Sequence, residues 1–117
     1  MTVTIPDRTT WVSGFRTLWM LVMFDLPVGE KEERSDATRF RNFLLDLGFR
    51  RAQFSVYYRL ITGRDAAEVM EKKIAAAVPG GGSVHILVIT NKQYENIRVF
   101  TGGVRGSPEK IKQLVLF

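Results

Sequence analysis

The stretch Leu18-Trp19-Met20-Leu21-Val22-Met23-Phe24-Asp25-Leu26-Pro27 is an apolar run that ends in one carboxylate, with a proline two residues on. Residues 18–24 are apolar at odd and even positions alike. That pattern predicts a strand central in its sheet and covered by helices. Pro27 breaks the strand, and a charged helix begins at about residue 30. Asp25 therefore sits at the tip of a buried strand, a rigid support suited to presenting a metal ligand. Little else in the chain looks catalytic, because it has no Cys and a single His, His85.

Working outward, residues 30–47 predict the first helix. Glu30, Glu32 and Glu33 suit the positive end of its dipole. Ala37, Phe40, Leu44 and Leu47 recur at helical spacing as the core face, with Phe43 beside them, and Gly48 stands at the usual stop position. Lys31, Arg34, Thr38 and Arg41 line the opposite side, three and four residues apart. Residues 49–61 are rich in β-formers and contain no Gly or Pro. Pattern alone reads them as one long strand with a bend near residues 53–55. Thr62 and Asp65 have capping-box spacing and open a second helix, with Ala66, Val69, Met70, Ile74 and Ala77 as its buried stripe. Pro79 and Gly80–Gly82 end that helix. Strands are expected at 83–90 and 97–100, a Gly-rich loop at 101–109, and a short apolar strand at 113–117. Residues 1–16 read as a flexible leader, and residues 17–117 as one domain.

Two helices interleaved with about four core strands match an α+β, ferredoxin-like βαββαβ sandwich: an antiparallel sheet with both helices on one face. The apolar strand at 113–117 has no partner in that fold, and an unpaired apolar strand invites aggregation. Pairing across a homodimer satisfies it.

A chain of 117 residues is expected to form one domain and needs no disulfides to do so. The absence of Cys excludes thiolate metal sites and fits a reducing cytoplasm. No apolar stretch approaches the roughly 20 residues that span a bilayer, and residues 1–10 lack the apolar core of a signal peptide. A net charge of +5 and a pI near 9.9 point to a polyanion, most often nucleic acid.

Asp25 has two readings. Mg2+ is held by one or two carboxylates plus waters and phosphates, so one Asp per chain is too little and two across a two-fold axis suffice. The alternative is that Asp25 caps the turn into the first helix. The cations Lys31, Arg34 and Arg41, with Arg50, Arg51 and Arg59, are candidates for phosphate contact. The alternative for Lys31 and Arg34 is pairing with Glu30 and Glu33. His85 reads as a sheet residue, and no Ser or Cys motif accompanies it to make a triad. Tyr57 and Tyr58 alternate faces, so one of them points away from the core. Gly80–Gly82 lacks the lysine of a phosphate loop and reads as a turn.

Several motifs, in order, resemble CRISPR-associated protein 2: Val22 to Pro27, Phe40 to Phe49, Gln53-Phe54-Ser55-Val56-Tyr57, and Gln113 to Phe117. The motifs look most like the form found in type II systems, and the resemblance runs over residues 17–117. It implies a ferredoxin-like homodimer in which residues 49–61 form two paired strands joined near Phe54. It implies a terminal strand that crosses to the other subunit or docks the CRISPR-associated integrase (protein 1), and a dimer that bridges the integrase and holds double-stranded DNA during spacer acquisition. It also implies metal-dependent cleavage of single-stranded RNA or double-stranded DNA, with Asp25 from both subunits on one Mg2+, or Mn2+. Lys31 and Arg34 match the family's basic positions loosely, and Phe24 and Ser55 are supporting positions. The competing expectations are a non-catalytic DNA-binding scaffold and a ferredoxin-like RNA-binding or toxin-like ribonuclease module outside CRISPR.

Overall fold

A computed structural model describes residues 16–103. The leader at 1–16 (Arg16 apart) and the terminal strand at 113–117 lie outside the described residues. The opening stretch forms β1, Thr17–Asp25, and its burial alternates: Leu18, Met20, Val22 and Phe24 are buried, while Trp19, Leu21 and Met23 are half-buried and Asp25 is exposed. Alternate residues of a strand point to opposite faces. The strand is central, as its apolar pattern predicts, but both long helices cover the same face.

The first helix, α1 (Lys31–Asp46), buries Ala37, Phe40 and Leu44 at the expected spacing. Its end is built by Gly48 at φ 92°. The Gly48 N–H donates to the Leu45 carbonyl and the Phe49 N–H to the Leu44 carbonyl, both at 3.0 Å. This is the left-handed helix stop that glycine permits. A Cβ at Gly48 would also come within 3.1 Å of Arg59 Nε.

Residues 49–61 divide into β2 (Arg50–Gln53) and β3 (Val56–Thr62), which pair antiparallel with a bulge between Arg51 and Gln53. The single long strand read from pattern is thus replaced by the hairpin that the family resemblance implies. The turn carries no Gly or Pro to announce it. It is held by a remote contact instead: the Phe24 N–H donates to the Ser55 carbonyl at 3.1 Å.

The second helix, α2 (Arg64–Ala76), starts from Gly63 at φ 95°, not from a Thr62 capping box. Thr62 is consumed as the last residue of β3, opposite Thr17. The buried stripe is Ala67, Met70 and Ile74; Ala66 and Val69 are exposed. β4 (Ser83–Thr90) has the expected limits. The expected strand at 97–100 does not form. A short helix, α3 (Asn91–Glu95), intervenes, capped by Thr90 Oγ1 accepting from the Gln93 N–H at 3.1 Å and by Gln93 Oε1 accepting from the Thr90 N–H at 2.9 Å. That reciprocal cap turns the chain off the sheet, so residues 97–100 have no ladder to join.

The sheet order is β2-β3-β1-β4, antiparallel throughout. With α1 and α2 packed on one face, this is the α+β ferredoxin-like sandwich. Its core joins the even residues of β1 to Phe40, Leu44, Tyr57, Ile61, Met70 and Ile74. Phe24 belongs to this core, edge-on to Phe40 at 5.2 Å. Its support of Asp25 is therefore mechanical. Leu44 is fully buried, and Leu44→Ala is expected to lower unfolding free energy by about 2–5 kcal/mol through lost burial and a residual cavity. Urea unfolding checks it.

Candidate metal and nucleic-acid site

Register organises the face that α1 and α2 leave open. Trp19 lies between Leu60 and Ile89, Leu21 between Tyr58 and Leu87, and Met23 between Val56 and His85. Asp25, paired with Ser83, follows on the same face. Three rows rich in apolar side chains thus lead to one carboxylate at the rim. Leu60 and Leu87 are 45% and 48% exposed, far more than core positions would tolerate. At the far end α3 covers part of this face. Tyr94 stacks on Trp19 at 3.9 Å, and Trp19 Nε1 donates to Asn91 Oδ1 at 2.8 Å. Burial, with Tyr58 adding to it, pushes the Tyr94 hydroxyl above its usual pKa. Among the described residues, the half nearer Asp25 stays open.

Asp25 itself is exposed, and no described residue donates a hydrogen bond to its carboxylate. The turn-capping alternative is therefore not what the side chain does. Other groups tie that turn. The Glu30 N–H donates to Glu33 Oε1 at 2.9 Å, and Arg34 Nη1 donates to the Val28 and Gly29 carbonyls, each at 3.2 Å. Arg34 is thus a clasp on the turn, not an ion-pair partner of Glu30 or Glu33. The Pro79–Gly82 turn presses on the same strand end: a Cβ at Gly82 would lie 2.5 Å from Leu26 Cδ2 and 3.8 Å from the Asp25 carbonyl. The glycine turn is a packing device there.

The fold sorts the expected cations into separate places. Lys31 and Arg34 are exposed in the first turn of α1, just after the Asp25 turn. Arg41 is half-buried, its guanidinium 4.6 Å above the ring of Phe54 at the hairpin apex. Ser55, beside Phe54, is tied to β1 one residue before Asp25. Arg50 and Arg51 are opposite Tyr58 and Tyr57 respectively, so they project to opposite faces of the sheet. Arg50 lies level with Leu21, about 13 Å along β1 from Asp25. With Arg59, Trp19, Tyr58 and Tyr94 it lines a cavity of about 480 Å³. His85 is exposed on the open face. Phe54 is a residue that sequence reasoning misses, since an aromatic within a stretch of β-formers gives no signal of exposure.

No group of three or more His, Asp or Glu able to hold a metal occurs among the described residues. An unbonded carboxylate on a rigid strand end nonetheless suits a hard cation that keeps several waters. No helix of the described residues is long and apolar enough to cross a membrane.

The family profile described as CRISPR associated protein Cas2 matches residues 18–97. A CRISPR-associated endoribonuclease Cas2 from Paracidovorax avenae is 48% identical over 99 residues, covering 85% of this chain and 92% of that protein. One of the same name from Flavobacterium psychrophilum is 40% identical over 112 residues, covering 95% and 97%. Among solved structures, one titled as a crystal structure of cas2 aligns at TM-score 0.55 with 21% identity, covering 79% of this chain and 93% of that one. That likeness speaks for the fold alone.

Proposed function

The chain belongs to the CRISPR-associated protein Cas2 family, and from that premise we propose that it acts in CRISPR adaptation as a nucleic-acid-binding homodimer. In this reading Asp25 of both subunits holds one Mg2+, or Mn2+, for phosphodiester cleavage. The observation that carries the proposal is the Asp25 carboxylate: exposed, unbonded, and at the rim of an open apolar sheet face. A second copy of the chain packed on that face buries Leu21, Met23 and Leu87. It also brings the two rims, and so two carboxylates, toward one axis. The outer edge of β4 has no strand partner among the described residues. It carries neither Lys nor Pro to discourage pairing.

A bound Mg2+ would neutralise the scissile phosphate and make a water nucleophilic. The chain's own part is to hold the ion with Asp25 and the substrate with cations. Lys31 and the guanidinium nitrogens that Arg34 does not spend on the turn would bind the flanking phosphates. The proposed substrates are single-stranded RNA, following the endoribonuclease names of the relatives, and double-stranded DNA. The dimer would hold DNA while bridging the CRISPR-associated integrase (protein 1). A non-catalytic scaffold is the second reading, favoured by the absence, among the described residues, of any group of three or more His, Asp or Glu able to hold a metal.

Cleavage of single-stranded RNA and double-stranded DNA across Mg2+ and Mn2+ tests the first reading, with EDTA abolishing any activity. A protein that cuts neither polymer leaves the scaffold reading. Both readings predict salt-sensitive DNA binding. Lys31→Ala is expected to lower the log–log salt slope by about one, measured by fluorescence anisotropy between low and physiological salt. An unchanged slope removes Lys31 from the interface.

A further inference from the structure

We infer that Phe54, held under the guanidinium of Arg41, is a stacking platform for an unpaired nucleobase beside the Asp25 site. The inference rests on the nucleic-acid reading above and names a contact within it. Phe54 occupies the apex of the β2–β3 hairpin and is 66% exposed. The turn could have used a polar residue there, since nothing in the core needs this ring. Its exposure is not that of a mobile tip, because the Ser55 carbonyl is bonded to β1 at 3.1 Å.

Arg41 supplies the second observation. Its guanidinium lies 4.6 Å from the ring centroid, within the range where a cation is attracted by the ring face. Its Nε is buried and lacks a hydrogen-bond partner among the described residues. An orphaned buried donor costs stability, and here it accompanies a guanidinium held above the ring. The only ion pair among the described residues is Arg39–Asp36, at 2.9 Å, so no carboxylate offsets the charge of Arg41. An exposed aromatic ring with a cation at one face, on a chain of net charge +5, matches the stacking-plus-phosphate chemistry that single strands use. A paired base offers no free face, so the platform selects unpaired nucleotides.

The test measures affinity for a short uridine-rich RNA and a 20-base-pair DNA duplex, in EDTA so that cleavage does not intrude. Phe54→Ala is expected to weaken RNA binding about 5- to 150-fold and duplex binding less than twofold, with Phe54→Trp retaining RNA affinity. RNA carrying an abasic residue at the contacted position should lose its sensitivity to Phe54→Ala. Equal weakening of intact and abasic RNA overturns the inference, as does no weakening at all. A variant that loses dimerisation instead makes the ring a protein contact and overturns it too. Wild-type protein that binds neither polymer overturns the nucleic-acid reading itself, and the platform with it. Thermal unfolding of each variant shows that the exposed position leaves the fold intact.

Discussion

Asp25→Asn should abolish metal-dependent cleavage, by at least about 100-fold, while leaving folding and assembly unchanged. The amide keeps the size of the side chain and removes its charge. A divalent ion with few protein ligands depends on that charge, and even the loss of an outer-shell partner commonly costs 10- to 100-fold. Under the two-Asp reading two copies would be lost at once, one from each subunit. Stability should hold, because the carboxylate is exposed and no described residue bonds to it. Cleavage rates measured over a Mg2+ titration, beside thermal unfolding, give the result. A rate within threefold of wild type would mean that Asp25 does not hold the metal. Spacer acquisition in cells divides the two functional readings further. Acquisition that survives Asp25→Asn assigns the protein's role in adaptation to binding, and acquisition that is lost with DNA affinity intact assigns it to chemistry.

The second large effect is expected on the open face. Under the homodimer reading, Leu87→Glu should raise the dimer dissociation constant at least about 100-fold. Leu87 lies in the middle row, across from Leu21 and Tyr58, and is 48% exposed in the single chain. Burying an unpaired carboxylate there costs several kcal/mol, and a two-fold interface contains the substitution twice. Sedimentation equilibrium over a dilution series measures it, with Leu87→Met as the volume-conserving control. The monomer should unfold at nearly the wild-type temperature once dimer stabilisation is subtracted, because position 87 faces away from the core. Under the two-Asp reading, cleavage should fall in parallel with dimer content and recover at high protein concentration. An unchanged dimer would locate the interface elsewhere and leave the Asp25 pair without a geometric basis.

Leu87 also shows how much of the site could be read in the chain. The apolar odd positions of β1, Trp19, Leu21 and Met23, were legible as apolar. They read as a second helix-covered face because, under the homodimer reading, burial by another subunit would demand the same residues as burial by a helix. The strand-end location of Asp25 was legible too, from the run before it and Pro27 after it. The capping alternative for Asp25 and the ion pairs for Arg34 were both open by sequence. They were decided by who else serves the turn: Glu33 and the single nitrogen Nη1 of Arg34. Arg50 and Arg51 are neighbours in sequence and were grouped for that reason, yet strand alternation puts them on opposite faces.

By itself the amino-acid order determined β1, α1 and β4, with Met20, Val22, Phe40 and Leu44 inside, because periods of two and 3.6 are local and report which side of an element is buried. It also carried the family, through motifs spread from Val22 to Tyr57. The tertiary structure decided what depends on contacts between distant residues. A hairpin turn without glycine is held by the bond from Phe24 to Ser55. The Thr90–Gln93 cap diverts the chain before residues 97–100 can form a strand. Phe54 is set beneath Arg41, thirteen positions away in the chain. No periodicity encodes these pairings, since each is chosen by which surfaces the packed core brings within reach.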